Sequence, residues 1–267
     1  MDIKLICSDI DGTLLNKDRE LSKATIEQVK RLSHIPFVLI SSRMPQAMTH
    51  LQEQLGIDKL SLIAYNGGLI LKNNSVVDST VISTDIMGKL YQFTKNTELH
   101  FSLYHGYEWY VPKLDYWAKR EANNTKVNPN VQAVDFTIDK WGKEGKGAHK
   151  IMIMGNKEEL DSVVEFIHRY FDSDIIGYRS KDTYLEIAPK SVSKKTALEF
   201  LLNSHYTELT LKNVVAFGDN YNDVEMLNAV GVSVAVSNAI EEVLVVSNTI
   251  TDTNKNDGVA KFLRDFL

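Results

Sequence analysis

Ile3-Lys4-Leu5-Ile6-Cys7-Ser8-Asp9-Ile10-Asp11-Gly12-Thr13 runs an apolar segment straight into two acids. The apolar part reads as a buried strand from Ile3 to Asp9. Side chains alternate along an extended segment, so Asp9 and Asp11 share one side if the strand pattern continues. Gly12 lets the backbone turn sharply just beyond them. Like charges this close repel, and ionising both costs free energy unless positive charge lies between them. The arrangement therefore asks for a cation, and for chemistry on something the cation holds.

The chain has 267 residues, 43% of them apolar. That is enough for one large domain or two modest ones, with roughly 70–75% of the unfolded surface buried on folding. The formal net charge of -5 gives no footprint for nucleic acid or an anionic membrane. Cys7 is the single cysteine, so no intramolecular disulfide forms. It reads as a small buried hydrophobe, and a reducing compartment fits. No apolar run reaches the length of a membrane-spanning helix. The N-terminus lacks the basic-then-apolar layout of an export signal, which points to a cytoplasmic location.

Outward from the first strand, the chain alternates. Ser22 to Leu32 carries helical spacing with Ser22 as N-cap. Phe37 to Ile40 is a second strand, ending at Ser41-Ser42-Arg43. Pro45 to Leu55 is predicted helical, with Pro at its start and Gly56 at its end. Leu60 to Ala64 is a third strand, followed by a turn at Asn66-Gly67-Gly68. Strand-helix alternation of this kind builds a parallel sheet flanked by helices.

The middle breaks the rhythm. Residues 99–111 are aromatic and extended in character, Ala148 to Met154 and Tyr184 to Ala188 are strands, and Glu158 to Phe171 is a helix. Asn123 to Asn130 and Lys140 to Lys150 read as polar loops. The alternation resumes with a helix from Ser193 to Asn203 and a strand from Asn213 to Phe217 ending at Gly218-Asp219. Helices at Asp223–Ala229, Ile240–Val246 and Gly258–Phe266 follow, with a strand at Gly231–Val236. The expected layout is an α/β core domain from residues 1–82 and 188–267, interrupted by an α+β insert at 83–187.

Four segments share one property: each follows a strand-like run and places polar groups at its C-terminal end, where open parallel sheets bind ligands. They are Asp9-Ile10-Asp11-Gly12-Thr13, Ser41-Ser42-Arg43, Asn66-Gly67-Gly68 and Gly218-Asp219-Asn220-Tyr221-Asn222-Asp223. Lys194, near the start of the helix after the insert, is a fifth contributor. In this order and spacing the set resembles the haloacid dehalogenase superfamily of phosphotransferases, and within it the Cof-type, subclass IIB phosphatases. The resemblance spans the whole chain. It includes Leu185-Glu186-Ile187-Ala188-Pro189-Lys190, Ser237-Asn238-Ala239 and Asn256-Asp257-Gly258-Val259-Ala260.

The resemblance implies a Rossmann-like core with an inserted cap domain that shapes specificity. Asp9 would be the nucleophile, forming an aspartyl-phosphate, and Asp11 the general acid and then base. Gly12 and Thr13 would offer turn geometry and backbone N–H groups to the phosphoryl oxygens. Ser41 matches the hydroxyl of the second motif and Lys194 the neutralising ammonium of the third. Mg²⁺ would be held by Asp9, Asp219 and the backbone carbonyl of Asp11, with Asp223 behind them. Hard oxygen donors with no Cys or His favour Mg²⁺ over Zn²⁺. Arg43, Asn66 and Gly67 would face the leaving group, and Asn222 a phosphoryl oxygen. The implied partner is a small phosphorylated metabolite, most simply a sugar phosphate.

Two positions depart from the family pattern. Ser42 replaces the glycine after the second-motif hydroxyl, so either Ser41 or Ser42 serves there. Lys195 replaces the glycine after Lys194 and, as its helix neighbour, points elsewhere. Plainer roles stand beside the catalytic ones: Ser41 as a helix cap, Asn66-Gly67 as a hairpin turn, Lys194 as a surface lysine. The seven histidines show no ligand spacing. His105, Tyr107 and Trp109 alternate along one strand and read as packing, as do His149, Lys150, Arg179 and Tyr184. A phosphomutase and a non-catalytic phospholigand-binding protein are the rival functions.

Overall fold

The computed structural model describes residues 2–267. The chain divides into two compact units: residues 1–42, 48–77 and 193–267 form the first, and residues 43–47 and 78–192 the second. The sequence places the breaks at 82/83 and 187/188. The units divide at 77/78 and 192/193, and a five-residue segment inside the first belongs to the second.

In chain order the elements start with β1 (Leu5–Ser8), α1 (Lys23–Arg31), β2 (Phe37–Ile40), α2 (Thr49–Leu55), β3 (Ser61–Ala64), β4 (Leu69–Lys72) and β5 (Ser75–Ser79). Next come α3 (Thr84–Thr94), β6 (His100–His105), β7 (Glu108–Val111), α4 (Tyr116–Thr125), β8 (Asn130–Val131) and α5 (Val134–Lys143). They continue with β9 (Lys150–Met154), α6 (Lys157–Tyr170), β10 (Ile175–Lys181), β11 (Tyr184–Pro189) and α7 (Lys194–His205). The chain closes with β12 (Val214–Gly218), α8 (Val224–Ala229), β13 (Val232–Val236), α9 (Glu241–Val246), β14 (Thr249–Thr251) and α10 (Gly258–Phe266).

The first unit is built on an eight-stranded sheet of order β14-β13-β12-β1-β2-β3-β4-β5. The strands from β14 to β3 are parallel, and β4 reverses against β3. β1 is central, and all four of its residues are buried. A strand covered on both faces must be apolar throughout, which is why Leu5-Ile6-Cys7 reads as an unbroken run. One side of the sheet packs on α7, α8 and α9, with Leu198, Leu201, Met226 and Val243 against Leu5, Cys7, Val38 and Ala216. From β1 the chain builds outward through β2 and β3, and the later segment returns to pair β12 on the opposite side. The C-terminal ends of β1 and β12 thus flank a topological switch point, where such sheets open a crevice.

The second unit is a six-stranded sheet of order β10-β11-β9-β6-β7-β8, antiparallel except for the β7–β8 pair. One face packs Phe101, Leu103, Ile151, Ile153, Leu185 and Ile187 against apolar residues of α3, α5 and α6.

Several segments differ from expectation. β1 ends at Ser8, so Asp9 stands just beyond the strand and Asp11 in the turn that follows, rather than both on one strand face. Pro45–Ala47 is a single 3₁₀ turn, and the α-helix begins only at Thr49. Lys140–Lys150 is not a solvated loop. Its start completes α5, whose Trp141 is fully buried, and Lys150 opens β9. Asn123 and Asn124 lie in α4, which runs on to Thr125. Local polarity misled here, because α4 and α5 bury only a narrow stripe: Ala118 in one, and Val134, Thr137 and Trp141 in the other.

Candidate active site

The charged centre of the site is assembled from three segments at the C-terminal edge of the parallel sheet, all within the first unit. Asp9 follows β1 and is held there by its own N–H, which donates to the Phe217 carbonyl of β12 at 3.0 Å. Asp219 follows β12 directly. Lys194 opens α7, where Ser193 is the N-cap in a capping box with Thr196. Asp223 ends the turn Tyr221–Asp223 ahead of α8.

Lys194 Nζ donates to Asp9 Oδ1 at 2.5 Å and to Asp223 Oδ1 at 2.6 Å. All three side chains are buried; those of Lys194 and Asp223 are completely so. The surface-lysine reading of Lys194 is therefore wrong: its aliphatic stem enters the core and its charge ends between two carboxylates. Burial alone disfavours the ammonium, but Asp223 and Asp9 outweigh it and hold the Lys194 pKa above the ordinary lysine value. Burial pushes the Asp9 carboxyl up; Lys194 opposes this, and the Asp223 and Asp219 charges add to it. Cys7, on β1 two residues before Asp9, is also fully buried, and its thiol is pushed up to about 12, which keeps it an inert packing group.

Asp223 uses both carboxylate oxygens internally. Oδ1 takes Lys194, and Oδ2 accepts from the Asp219 and Asn220 N–H groups at 3.0 and 3.1 Å. It fixes the turn that carries Asp219. Gly218 must be glycine for this, because a Cβ there would strike the Asp223 carboxylate. Gly12 stands in the same relation to Asp219: its φ is +84°, and a Cβ would run into the Asp219 carboxylate. Thr13 is buried and its hydroxyl donates to Asp219 Oδ1 at 2.8 Å. Burial and the Asp223 charge nonetheless push the Asp219 carboxyl up to about 6.

Ligand oxygens of Asp9, Asp219 and Asp223 lie within 4.8 Å of one another. Three buried or half-buried carboxylates share one ammonium, so negative charge is in excess. All the donors are hard oxygens, which fits a hard divalent cation such as Mg²⁺. Asp9 and Asp219 are the side chains suited to hold it directly. The Asp11 carboxylate is not in the cluster and is exposed to solvent.

The remaining predicted residues fall into two groups. Ser41 is buried at the end of β2, where its N–H donates to Ile63 O and its carbonyl accepts from the Asn66 N–H. Asn66, also buried, adopts φ +55° beside Gly67 at φ +112° in the tight connection between β3 and β4. Asn222 Nδ2 donates to Asn66 Oδ1 at 3.0 Å, so the second, third and fourth polar segments are joined. Ser42 is only half-buried. Arg43 belongs to the segment counted with the second unit, and its Nη1 donates back to the Ala47 carbonyl at 2.9 Å.

The chain matches the haloacid dehalogenase-like hydrolases over residues 6–263. It belongs to that family, and it shares the fold of subclass IIB phosphatases. A Haemophilus influenzae protein provisionally named a phosphatase is 31% identical, with 98% of this chain and 97% of that one covered. A Bacillus subtilis protein, the 5-amino-6-(5-phospho-D-ribitylamino)uracil phosphatase YitU, is 25% identical over 98% of this chain and 97% of its own. The crystal structure of a haloacid dehalogenase-like hydrolase from Bacteroides thetaiotaomicron superimposes with a TM-score of 0.90 at 29% identity, covering 99% of this chain and 100% of that one.

Proposed function

We propose that this protein is a Mg²⁺-dependent phosphatase that hydrolyses small phosphorylated metabolites through an aspartyl-phosphate on Asp9. The observation that carries the reading is the Lys194 ammonium set between Asp9 and Asp223, with Asp219 close by. A carboxylate nucleophile attacking a phosphate dianion meets strong charge repulsion, and catalysis of such a transfer consists mostly of positioning and neutralisation.

In this reading Asp9 attacks phosphorus, and the ester oxygen leaves with a proton from Asp11. Asp11 is exposed at the turn, where it can reach both a leaving group and the water of the second step. That water, deprotonated by Asp11, attacks the acyl phosphate, releases phosphate and restores Asp9. Lys194 opposes the upward push that burial gives the Asp9 carboxyl and faces the phosphoryl charge. The Gly12 and Thr13 N–H groups and the hydroxyl of Ser41 or Ser42 receive phosphoryl oxygens. Asp9, Asp219 and the Asp11 carbonyl would hold Mg²⁺, which supplies charge neutralisation on the transferring group.

The choice of leaving group is assigned to Arg43, Asn66 and Gly67, with Asn222 at the phosphoryl group. A relative of full-length similarity is named for a phosphorylated ribityl compound, which supports a sugar- or polyol-phosphate substrate. Release of inorganic phosphate across a panel of phosphorylated metabolites, with and without EDTA, tests this function. The expected result is metal-dependent turnover with at least one sugar or polyol phosphate preferred. No phosphate release from any ester with Mg²⁺ present overturns it.

A further inference from the structure

Two loops apart from the four polar segments and Lys194 grip the catalytic loop. Asn238, in the loop after β13, donates from Nδ2 to the Gly12 carbonyl at 2.9 Å. Its Oδ1 accepts from the Asn254 N–H at 2.9 Å, and Asn254 Nδ2 donates to the Leu15 carbonyl at 2.8 Å. Two residues beyond Asn238, the Ile240 N–H donates to the Asp219 carbonyl at 3.0 Å. One short segment thus holds the backbone of both acid-bearing loops. The loop after β14 holds that segment in turn.

We infer that Asn238 is a positioning residue for phosphoryl transfer. It sets the orientation of the Gly12–Thr13 peptide, and Asn254 fixes which way its amide faces. The inference rests on the phosphatase reading. The Gly12 carbonyl and the Thr13 N–H belong to one planar unit and point in opposite directions. Clamping the carbonyl therefore aims the N–H. Among the described residues neither the Gly12 nor the Thr13 N–H donates to a protein acceptor, so both remain for a ligand oxygen. Gly12, at φ +84°, has no side chain to restrict its backbone. Without an outside anchor its peptide can rotate. A donor turned away from developing charge loses its catalytic effect, although it still tolerates substrate.

The Asn254 N–H makes the amide direction a matter of chemistry. It requires an acceptor, so the oxygen of Asn238 faces Asn254 and the NH₂ faces Gly12. Asp at position 238 keeps the first contact but sets a carboxylate oxygen against the Gly12 carbonyl. It is nearly isosteric with Asn, so a role in packing alone would tolerate it.

The experiment compares wild type with Asn238→Asp, Asn238→Ala and Asn254→Ala on a generic aryl phosphate at saturating Mg²⁺. It reads kcat, KM, the inhibition constant of inorganic phosphate and the melting temperature. Asn238→Asp is expected to lower kcat by about tenfold to a hundredfold and to weaken phosphate inhibition, with KM changed less and melting within a few degrees of wild type. Asn238→Ala should fall between wild type and Asp, and Asn254→Ala should be mildest. Wild-type kcat and phosphate inhibition in a folded Asn238→Asp enzyme overturn the inference and leave the phosphatase reading intact. An inactive wild type overturns that reading instead. If Asn238→Ala fails to fold, the isosteric Asp variant still decides the question.

Discussion

Lys194 Nζ lies 2.5 Å from Asp9 Oδ1, joining residues 185 positions apart in the sequence. The contact ties the first strand of the chain to the helix that follows the second unit. It places a fully buried cation against the proposed nucleophile, with Asp223 on its other side.

Replacing Lys194 by Met leaves Asp9 and Asp223 buried without their counter-charge. Breaking a buried pair in this way costs roughly 3–5 kcal/mol. The Asp9 carboxyl, which burial pushes up and Lys194 opposes, is then pushed up further, so the folded state binds more protons. The penalty is present at neutral pH and shrinks as pH falls. Urea unfolding of Lys194→Met and wild type at about pH 7.5 and pH 5 checks this: the stability gap should narrow at the lower pH, and hydrolysis should be lost at both.

Removal of the divalent cation should be read in stability as well as activity. Binding to the folded state alone adds about 2.7 kcal/mol at a hundredfold excess over the dissociation constant. Mg²⁺ is expected to raise the melting temperature of wild type, and EDTA to reverse it. Asp219→Asn should abolish the shift. A Mg²⁺-induced shift that persists in this variant would place the ion elsewhere.

Gly12→Ala and Gly56→Ala form a matched pair. Both glycines have positive φ, and an added methyl at Gly56 meets nothing, whereas at Gly12 it meets the Asp219 carboxylate. Each should cost about 1–2 kcal/mol for the left-handed backbone. Only Gly12→Ala should also lose most of its turnover, measured by phosphate release.

His149 gives the second unit an acid sensitivity. It is buried; its Nδ1 accepts from the Gly106 N–H, and its Nε2 donates to Ser79 Oγ at 3.1 Å. Burial, with a smaller contribution from His105, pulls its pKa down to about 3. An unfolded histidine titrates near 6.5. Between these values the unfolded chain binds the extra proton, so stability is full above pH 6.5 and declines as pH falls towards 3. The loss should reach about 3 kcal/mol by pH 4. Denaturant unfolding across that range should show a shallower decline for His149→Gln than for wild type.

The parallel core was legible because its strands are buried on both faces. Leu5-Ile6-Cys7 and Phe37 to Ile40 are short unbroken apolar runs, and their C-terminal polar residues stand out against that background. Lys194 was legible only by resemblance, since one lysine at a helix start carries no local signal of burial. The second unit was legible at β6, β9 and α6 and not at α4 or α5, whose apolar stripes are short and interrupted by Asn and Lys. Asn238 could be quoted as part of a resemblance but not given a role, because its partners Gly12 and Asn254 are fixed by tertiary structure alone.

Acid quenching during steady turnover of an aryl phosphate with Mg²⁺, followed by peptide mapping, tests the central claim most directly. The account predicts a phosphoryl adduct on Asp9, in the peptide that runs through Thr13, and its absence in Asp9→Asn together with loss of phosphate release. Undiminished turnover by Asp9→Asn, or an adduct on any other residue, would contradict it.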